Sequence, residues 1–304
     1  MTDTSITTPD TEFDWATRVL RQACAAADLD PADARLIKFT NNAVFALASA
    51  PIVVRIPGSA AVLQRVPKII AVARWLARHG MPSVRLVEDL PQPLELAEHQ
   101  VTFWHRVDTP SGVPQPDGTD LGRILRRYHT IAAPSFELPR WQPMAPIRQR
   151  IAEERVLAAS DRHFLDDKCD EVDELLTEVE YRWPFGPVHG DGFVGNLIAG
   201  PQGAVICDFD SAAWGPREWD LTPAAVGQIR FGYSPNYHRQ LSSEYGIDIL
   251  EWPHFPVFRQ LRELQLVTSV LPVLDANPSL YEQWRWRFTT FRDGETAARW
   301  SPYR

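Results

Sequence analysis

Three side chains with oxygen atoms at fixed spacing offer the clearest chemistry in this sequence. Asp191 follows His189-Gly190 on a glycine-rich loop, Asn196 comes five residues later, and Asp208 stands after an apolar stretch that doubles back. Leu197 to Ala199 and Ala204 to Cys207 read as short strands, with Gly200-Pro201-Gln202-Gly203 as the turn between them. That hairpin would bring Asn196 and Asp208 near each other at its open end. Mg²⁺ takes oxygen ligands and is held by one or two protein groups plus substrate phosphates, so Asn196 and Asp208 suit it. Asp191 has no cationic neighbour in the sequence and is free to face an incoming hydroxyl. A carboxylate that orients a nucleophile and a metal that neutralises phosphate charge are the main parts of phosphoryl transfer. Any one of these residues alone would pass as a turn former; the ordered set is what carries the chemistry. Asp210 could support a second metal or make a structural hydrogen bond.

The same stretch contains Gly190, Gly192 and Gly195 in a GxGxxG spacing, with Asp208 and Asp210 about where a dinucleotide-binding fold keeps its ribose acid. That motif has to open a helix. Gly200-Pro201 arrives too soon to leave room for one.

His189-Gly190-Asp191 with Asn196, followed by Ile206-Cys207-Asp208-Phe209-Asp210, resembles the motifs of the aminoglycoside phosphotransferase and choline kinase-like family. The resemblance implies an α+β, two-lobed protein-kinase-like fold, with a small antiparallel β lobe carrying helices and a larger, mainly helical lobe. It implies a Mg²⁺-dependent kinase that moves the γ-phosphoryl group of ATP or GTP to a hydroxyl of a small molecule. The acceptor would be an antibiotic, aminoglycoside-like or another natural product, and resistance the outcome. A metabolic sugar or amino-alcohol kinase, or an inactive kinase-fold binding protein, is the alternative. Asp191 then corresponds to the catalytic base, Asn196 and Asp208 to the metal ligands. The loop Thr40 to Ala43, with Asn41 and Asn42, would cover the phosphates.

Arg55 lies within the apolar strand Ile52 to Ile56, where a charge must find a partner or face a cleft. The family's strand supplies a Lys or Arg to the nucleotide, and the next helix, here Ala61 to His79, supplies a glutamate to hold it. This chain has no Asp or Glu between Arg55 and Glu88, and Ile69 stands near the expected place. A protein kinase is disfavoured because neither His-Arg-Asp nor Asp-Phe-Gly occurs. A two-metal phosphohydrolase would need more histidine and carboxylate ligands, and a serine hydrolase its GxSxG.

The elements that must position these residues follow in order. Asp14 to Asp28 has a helical stripe; Ala34 to Phe39, Ala43 to Ala48 and Ile52 to Ile56 read as strands; Arg85 to Val87 and Val101 to Arg106 complete the first sheet. The turn-rich Asp108 to Gly112 is the expected hinge, giving an N-terminal nucleotide-binding lobe of 1–107 and a C-terminal catalytic and substrate-binding lobe of 108–304. Helices are expected at Asp120 to Thr130, Arg148 to Ala159, Asp166 to Tyr181, from about Leu221 with Asp220 as N-cap, and at Tyr237 to Tyr245, Pro256 to Leu271 and Leu280 to Ala297. Trp252, His254, Phe255, Trp284 and Trp286 are candidates to line the acceptor pocket, where the family places its late helices.

At 304 residues and 44% hydrophobic, the chain has the material for two cores. Its net charge of −8 is uneven: residues 1–107 carry 11 basic and 11 acidic side chains, and the remainder 20 and 28. Acidity argues against nucleic acid as partner and favours a cationic or neutral acceptor. Cys24, Cys169 and Cys207 lack metal-ligand spacing and read as reduced thiols of a cytoplasmic protein. Met1 to Thr11 lacks the regions of a signal peptide, and no apolar run approaches the roughly 20 residues that span a bilayer.

Overall fold

A computed structural model describes residues 14–39, 41–275 and 277–303; Met1 to Thr11 and Thr40 lie outside them. Two compact units are present. One runs up to Val113 and takes in Ala199–Asp210, and the other comprises Pro114–Ile198 and the chain from Ser211 onward. The expected single cut at 107/108 is therefore replaced by a discontinuous division. Its cause is backbone pairing, because Val84 N–H donates to Ile206 O at 3.0 Å and Ile206 N–H to Pro82 O at 2.9 Å. The Thr109 hydroxyl adds a bond to Ala199 O at 2.9 Å.

In the first unit, helix α1 (Asp14–Ala26) buries Ala16, Val19, Leu20, Ala23 and Cys24, the i, i+3, i+4 stripe of an amphipathic helix. The sheet contains β1 (Arg35–Phe39), β2 (Asn42–Ala46), β3 (Ile52–Pro57), β4 (Leu94–Leu96) and β5 (His99–His105) in the order β1-β2-β3-β5-β4, all antiparallel. Alternation on β3 sends Val54 and Ile56 into the core with Phe45, Val101 and Phe103. Each such side chain stabilises the unit by about 1.5–3 kcal/mol relative to exposure. Arg55 takes the opposite face, between Val44 and Thr102 in register.

Two expectations fail here for identifiable reasons. The single helix expected over Ala61 to His79 is two, α2 (Ala60–Leu63) and α3 (Val66–Arg78), with Pro67 in the first turn of α3. Proline lacks an N–H and is tolerated only at a helix start, so it restarts the helix instead of continuing it. Arg85 to Val87 makes only an isolated bridge, Leu86 to Trp104, and the edge of β5 is taken by β4. Three residues without a β-branched side chain gave little strand signal at β4.

The second unit is mainly helical. It contains α4 (Gly118–Tyr128), α5 (Met144–Glu153), α6 (Ala159–Thr177) and the short strand β6 (Gly186–Val188). The chain then forms a 3₁₀ turn at Val194–Asn196 and the hairpin of β7 (Leu197–Gly200) and β8 (Gly203–Ile206), which from Ala199 onward belongs to the first unit. Strand β9 (Ala213–Gly215) pairs antiparallel with β6 and so closes the loop between them at its base. The remaining helices are α7 (Arg217–Phe231), α8 (Tyr237–Tyr245), α9 (Phe255–Thr268), α10 (Leu271–Leu274) and α11 (Pro278–Arg292). A capping box between Asp117 and Asp120 starts α4. The α4 backbone lies against α8 so closely that a Cβ on Gly118 would sit 2.1 Å from Tyr237 O. Helices α7 and α9 are joined by a buried ion pair, Arg230 Nε to Glu263 Oε1 at 2.7 Å.

Candidate active site

The loop bearing Asp191 is held from beneath by a carboxylate. Asp220 has no exposed surface, and it accepts from the backbone N–H of His189 and of Gly190, both at 2.7 Å. Its Oδ2 also meets His129 Nε2 at 2.9 Å, and His129 Nδ1 meets the Tyr245 hydroxyl at 2.8 Å. Asp220 is not the N-cap expected from sequence, because α7 already begins at Arg217 with Pro216 before it. Inside the first turn its side chain is turned to the loop, whose donors it satisfies. Trp219 Nε1 donates to Gly190 O at 2.9 Å, so the peptide groups on both sides of Gly190 are fixed. Gly190 has φ +84, and a Cβ there would meet Ser211 O at 2.1 Å; only glycine fits both the backbone region and the space.

On this base Asp191 is half-buried and in contact with two groups. The Asn196 amide nitrogen donates to Asp191 O at 2.9 Å and to Asp191 Oδ2 at 3.1 Å. Arg262, on α9, places Nη2 3.0 Å from Asp191 Oδ1. Burial would raise the Asp191 pKa, but the Arg262 guanidinium, the nearby His189 and the Asn196 amide together hold it below the ordinary carboxylate value. The carboxylate is therefore ionised at neutral pH, the state a hydroxyl-orienting group needs. The Asn196 amide nitrogen is occupied by Asp191, so its carbonyl oxygen is the atom suited to a cation.

In the first unit, the structure brings Arg55, Asp208 and Asp210 together. The Arg55 guanidinium bonds Asp210 Oδ2, so Asp210, downstream by sequence and outside the helix, is the acid that answers the missing glutamate of α3. Lys68, from the first turn of α3, donates to Asp210 O at 2.5 Å. Asp208, at φ +68, faces Lys38 Nζ at 3.6 Å. Burial and the neighbouring Asp210 push the Asp208 carboxyl up to about 6, against the pull of Lys38 and Arg55. Burial works on Asp210 in the same sense, but its bond with Asp208 and the Arg55 charge hold it below the usual range. Two carboxylates competing for one proton form a place that favours a further cation, and hard oxygen donors fit Mg²⁺. Among the described residues no group of three or more His, Cys, Asp or Glu is arranged around a metal. A cation at Asp208 would thus keep positions for water and phosphate oxygens. Asn196 belongs to the second unit and Asp208 to the first.

Asn41 is exposed at the turn before β2, and Asn42 opens β2 opposite Pro57. The Asn42 Oδ1 is buried without a hydrogen-bond partner. The aromatic candidates for the acceptor pocket are mostly core: Trp252, Phe255 and Trp284 are buried, and Trp252 packs on Phe258 at 5.0 Å. Trp286 is exposed and donates to Arg299 O at 2.8 Å. The half-buried rings beside the loop of Asp191 are Phe193, Tyr233 and Tyr237, with centroids 5.9 Å and 5.5 Å apart in turn. Arg262, Lys68 and these tyrosines were invisible in the sequence, which carries no local pattern linking them to Asp191 or Asp210.

An antiparallel-sheet unit and a helical unit of this construction define a protein-kinase-like fold, and solved structures agree. Amicoumacin kinase hAmiN superposes with a TM-score of 0.69 at 13% identity, covering 94% of this chain and 95% of that one. A choline/ethanolamine kinase family protein from Mesorhizobium loti gives 0.62 at 17% identity, over 93% and 92% of the two chains. Spectinomycin phosphotransferase gives 0.60 at 15% identity, over 91% and 93%. No protein of curated function matches the sequence. Residues 33–255 match the phosphotransferase enzyme family (APH), and the chain belongs to that family. It is a phosphotransferase that acts on hydroxyl groups of small molecules. Among the described residues no helix is long and apolar enough to cross a membrane.

Proposed function

We propose that this protein transfers the γ-phosphoryl group of ATP or GTP to a hydroxyl of an antibiotic or similar natural product, with Mg²⁺, and that it confers resistance as a cytoplasmic enzyme. The acceptor oxygen forms its bond to phosphorus as the bond to the β-phosphate oxygen breaks. The hydroxyl proton passes to Asp191, and the nucleoside diphosphate leaves. Asp191 orients the nucleophile, while Asn196 and Asp208 offer oxygens to Mg²⁺, which when bound neutralises phosphate charge. Arg55, with Asn41 and Asn42, serves the nucleotide.

The observation that carries this reading is the Asp191 carboxylate, kept ionised by Arg262 and Asn196 on a loop pinned by Asp220. An inactive binding module would have no need of that arrangement. The likeness to an amicoumacin kinase and a spectinomycin phosphotransferase supports an antibiotic acceptor. The test is turnover of ATP and of GTP, with Mg²⁺ or with chelator, against a panel of hydroxylated compounds, mass spectrometry following the gain of one phosphoryl group. Positioning of a general base contributes roughly 10²–10⁴ in rate, so Asp191→Asn should lose at least that much and stay folded. Equal turnover in Asp191→Asn, or in chelator, would refute the mechanism.

A further inference from the structure

The charge beside Asp191 has the opposite sign to the charge of the whole chain. Arg262 faces Asp191 Oδ1 at 3.0 Å, and its Nη1 bonds Gln265 Oε1 at 2.6 Å. The Tyr233 hydroxyl feels two guanidiniums, Arg262 and Arg287, with Tyr237 as the other ionisable group acting on it. Arg287, on α11, is 3% exposed. It donates to Ser301 O and lies 3.5 Å under the Tyr303 ring, and its Nε is buried without a hydrogen-bond partner. No carboxylate pairs with it among the described residues, whereas the buried Arg230 and the neighbouring Arg259 both reach Glu263 at 2.7 Å. Among the described residues the one carboxylate that pairs with Arg262 is Asp191, and the proposed reaction needs Asp191 for the acceptor hydroxyl.

From this geometry, and resting on the kinase reading above, we infer that the acceptor is an anionic small molecule whose carboxylate takes over Arg262 as its hydroxyl takes over Asp191. A planar guanidinium pairs with a carboxylate through two parallel N–H bonds, which fixes direction as well as distance. Arg287 adds positive potential at Tyr233, and Phe193, Tyr233 and Tyr237 form an aromatic shelf for the acceptor body. The same field repels ammonium groups, which discriminates against polyamine-like acceptors. The acidic total charge, which favoured a cationic acceptor, belongs to other surfaces: the run Asp166, Asp167, Asp170, Glu171, Asp173 and Glu174 lies on α6.

The experiment compares matched acceptors with ATP and Mg²⁺: hydroxyl-bearing carboxylates, the neutral amides of the same compounds, amino alcohols and aminoglycosides. One charged pair corresponds to roughly 10- to 100-fold, so a carboxylate should exceed its amide by about that factor in kcat/KM. Arg262→Gln should raise KM for carboxylates and bring the carboxylate-to-amide ratio close to one, and Arg262→Lys should restore part of it. Asp191→Asn, tested by calorimetric titration with the carboxylate, should bind it more tightly than the wild type, because Arg262 has lost its competing partner. Turnover of amino alcohols or aminoglycosides with carboxylates inert would overturn the anionic acceptor and leave the kinase reading standing. An equal fall in kcat for every acceptor in Arg262→Gln would also overturn it, assigning Arg262 to Asp191 or to the transferred phosphoryl group. A folded protein that phosphorylates no acceptor would overturn both readings.

Discussion

Removing the Asp220 carboxylate should uncouple the catalytic loop from the helical unit. The side chain is fully buried and serves three donors: His189 N–H and Gly190 N–H at 2.7 Å each, and His129 Nε2 at 2.9 Å. Hydrogen bonds to a charged acceptor each contribute about 1.5–3 kcal/mol, and a donor left buried without a partner carries its full desolvation penalty. Three such bonds are not additive, since one relaxed loop can hydrate two of the donors together. The expected loss for Asp220→Ala is therefore on the order of 4 kcal/mol, in the range seen when one member of a buried charged network is deleted. For domains of 150–250 residues each kcal/mol moves the midpoint by about 2–4 °C, so Tm should fall by roughly 8–16 °C. Asp220→Asn retains one carbonyl oxygen but turns an NH₂ toward donors, and should fall between the two.

The assay is differential scanning calorimetry of wild type, Asp220→Asn and Asp191→Asn without nucleotide, beside turnover of the best acceptor. Asp191→Asn separates the two roles: it should be silent in turnover and melt close to the wild type. Asp220→Asn should lose on both measurements, its rate falling through displacement of Asp191, for which about 1 Å is enough to cost 10²-fold. An Asp220→Asn protein that melts with the wild type and turns over normally would refute the claim that this carboxylate sets the loop.

Gly190→Ala would place a methyl 2.1 Å from Ser211 O at φ +84; loss of turnover with retained secondary structure in circular dichroism is expected, and a normally active variant would contradict it. The Arg55–Asp210 pair has side chains only 14% and 15% exposed, so either single alanine replacement should destabilise by about 3 kcal/mol in urea unfolding. The double replacement should fall well short of the sum, and strict additivity would deny the pair. Burial pushes the thiols of Cys24 and Cys169 up to about 11 and 12, so neither should react with iodoacetamide at pH 8 in the folded protein. A folded pKa above the unfolded value of about 8.5 means stability that is complete below that pH and lost as pH rises toward 11 and 12. Chemical melts at pH 8 and pH 10 should show the decline, and Cys169→Ala should reduce its slope.

How much of this was legible in the sequence depends on the reach of each interaction. The HGD loop, the asparagine after it and the apolar hairpin are local in sequence, and Asp191, Asn196 and Asp208 could be singled out from spacing alone. The apolar strand β3 and helix α8 were equally local, and their observed bounds, Ile52–Pro57 and Tyr237–Tyr245, agree with the expected ones to within a residue. What failed depends on distant partners. Asp220 looks like a cap because an Asp before an apolar run commonly is one; its actual role requires α7 to start earlier and the loop of β6 to lie over it. Arg55 was seen to need a partner, and the search in the following helix was physically reasonable, but Asp210 reaches it only because β8 joins the first unit through Pro82 and Val84.

Net charge is the property least legible at the level of the site. A count over residues 108–304 averages a solvated acidic helix with the surroundings of Asp191, although Coulomb interactions at the surface are screened within about 10 Å in 0.1 M salt. On the proposed reading, an acceptor at Asp191 responds to Arg262, which lies 3.0 Å from that carboxylate, and to the charge of Arg287 acting on Tyr233, not to the acids of α6. Raising salt gives a direct check. The preference of the kinase for a carboxylate over its amide should survive from 0.05 to 0.5 M salt if a close, half-buried pair creates it, because such pairs are weakly screened. A preference that collapsed across that range would instead identify a diffuse surface field as its source.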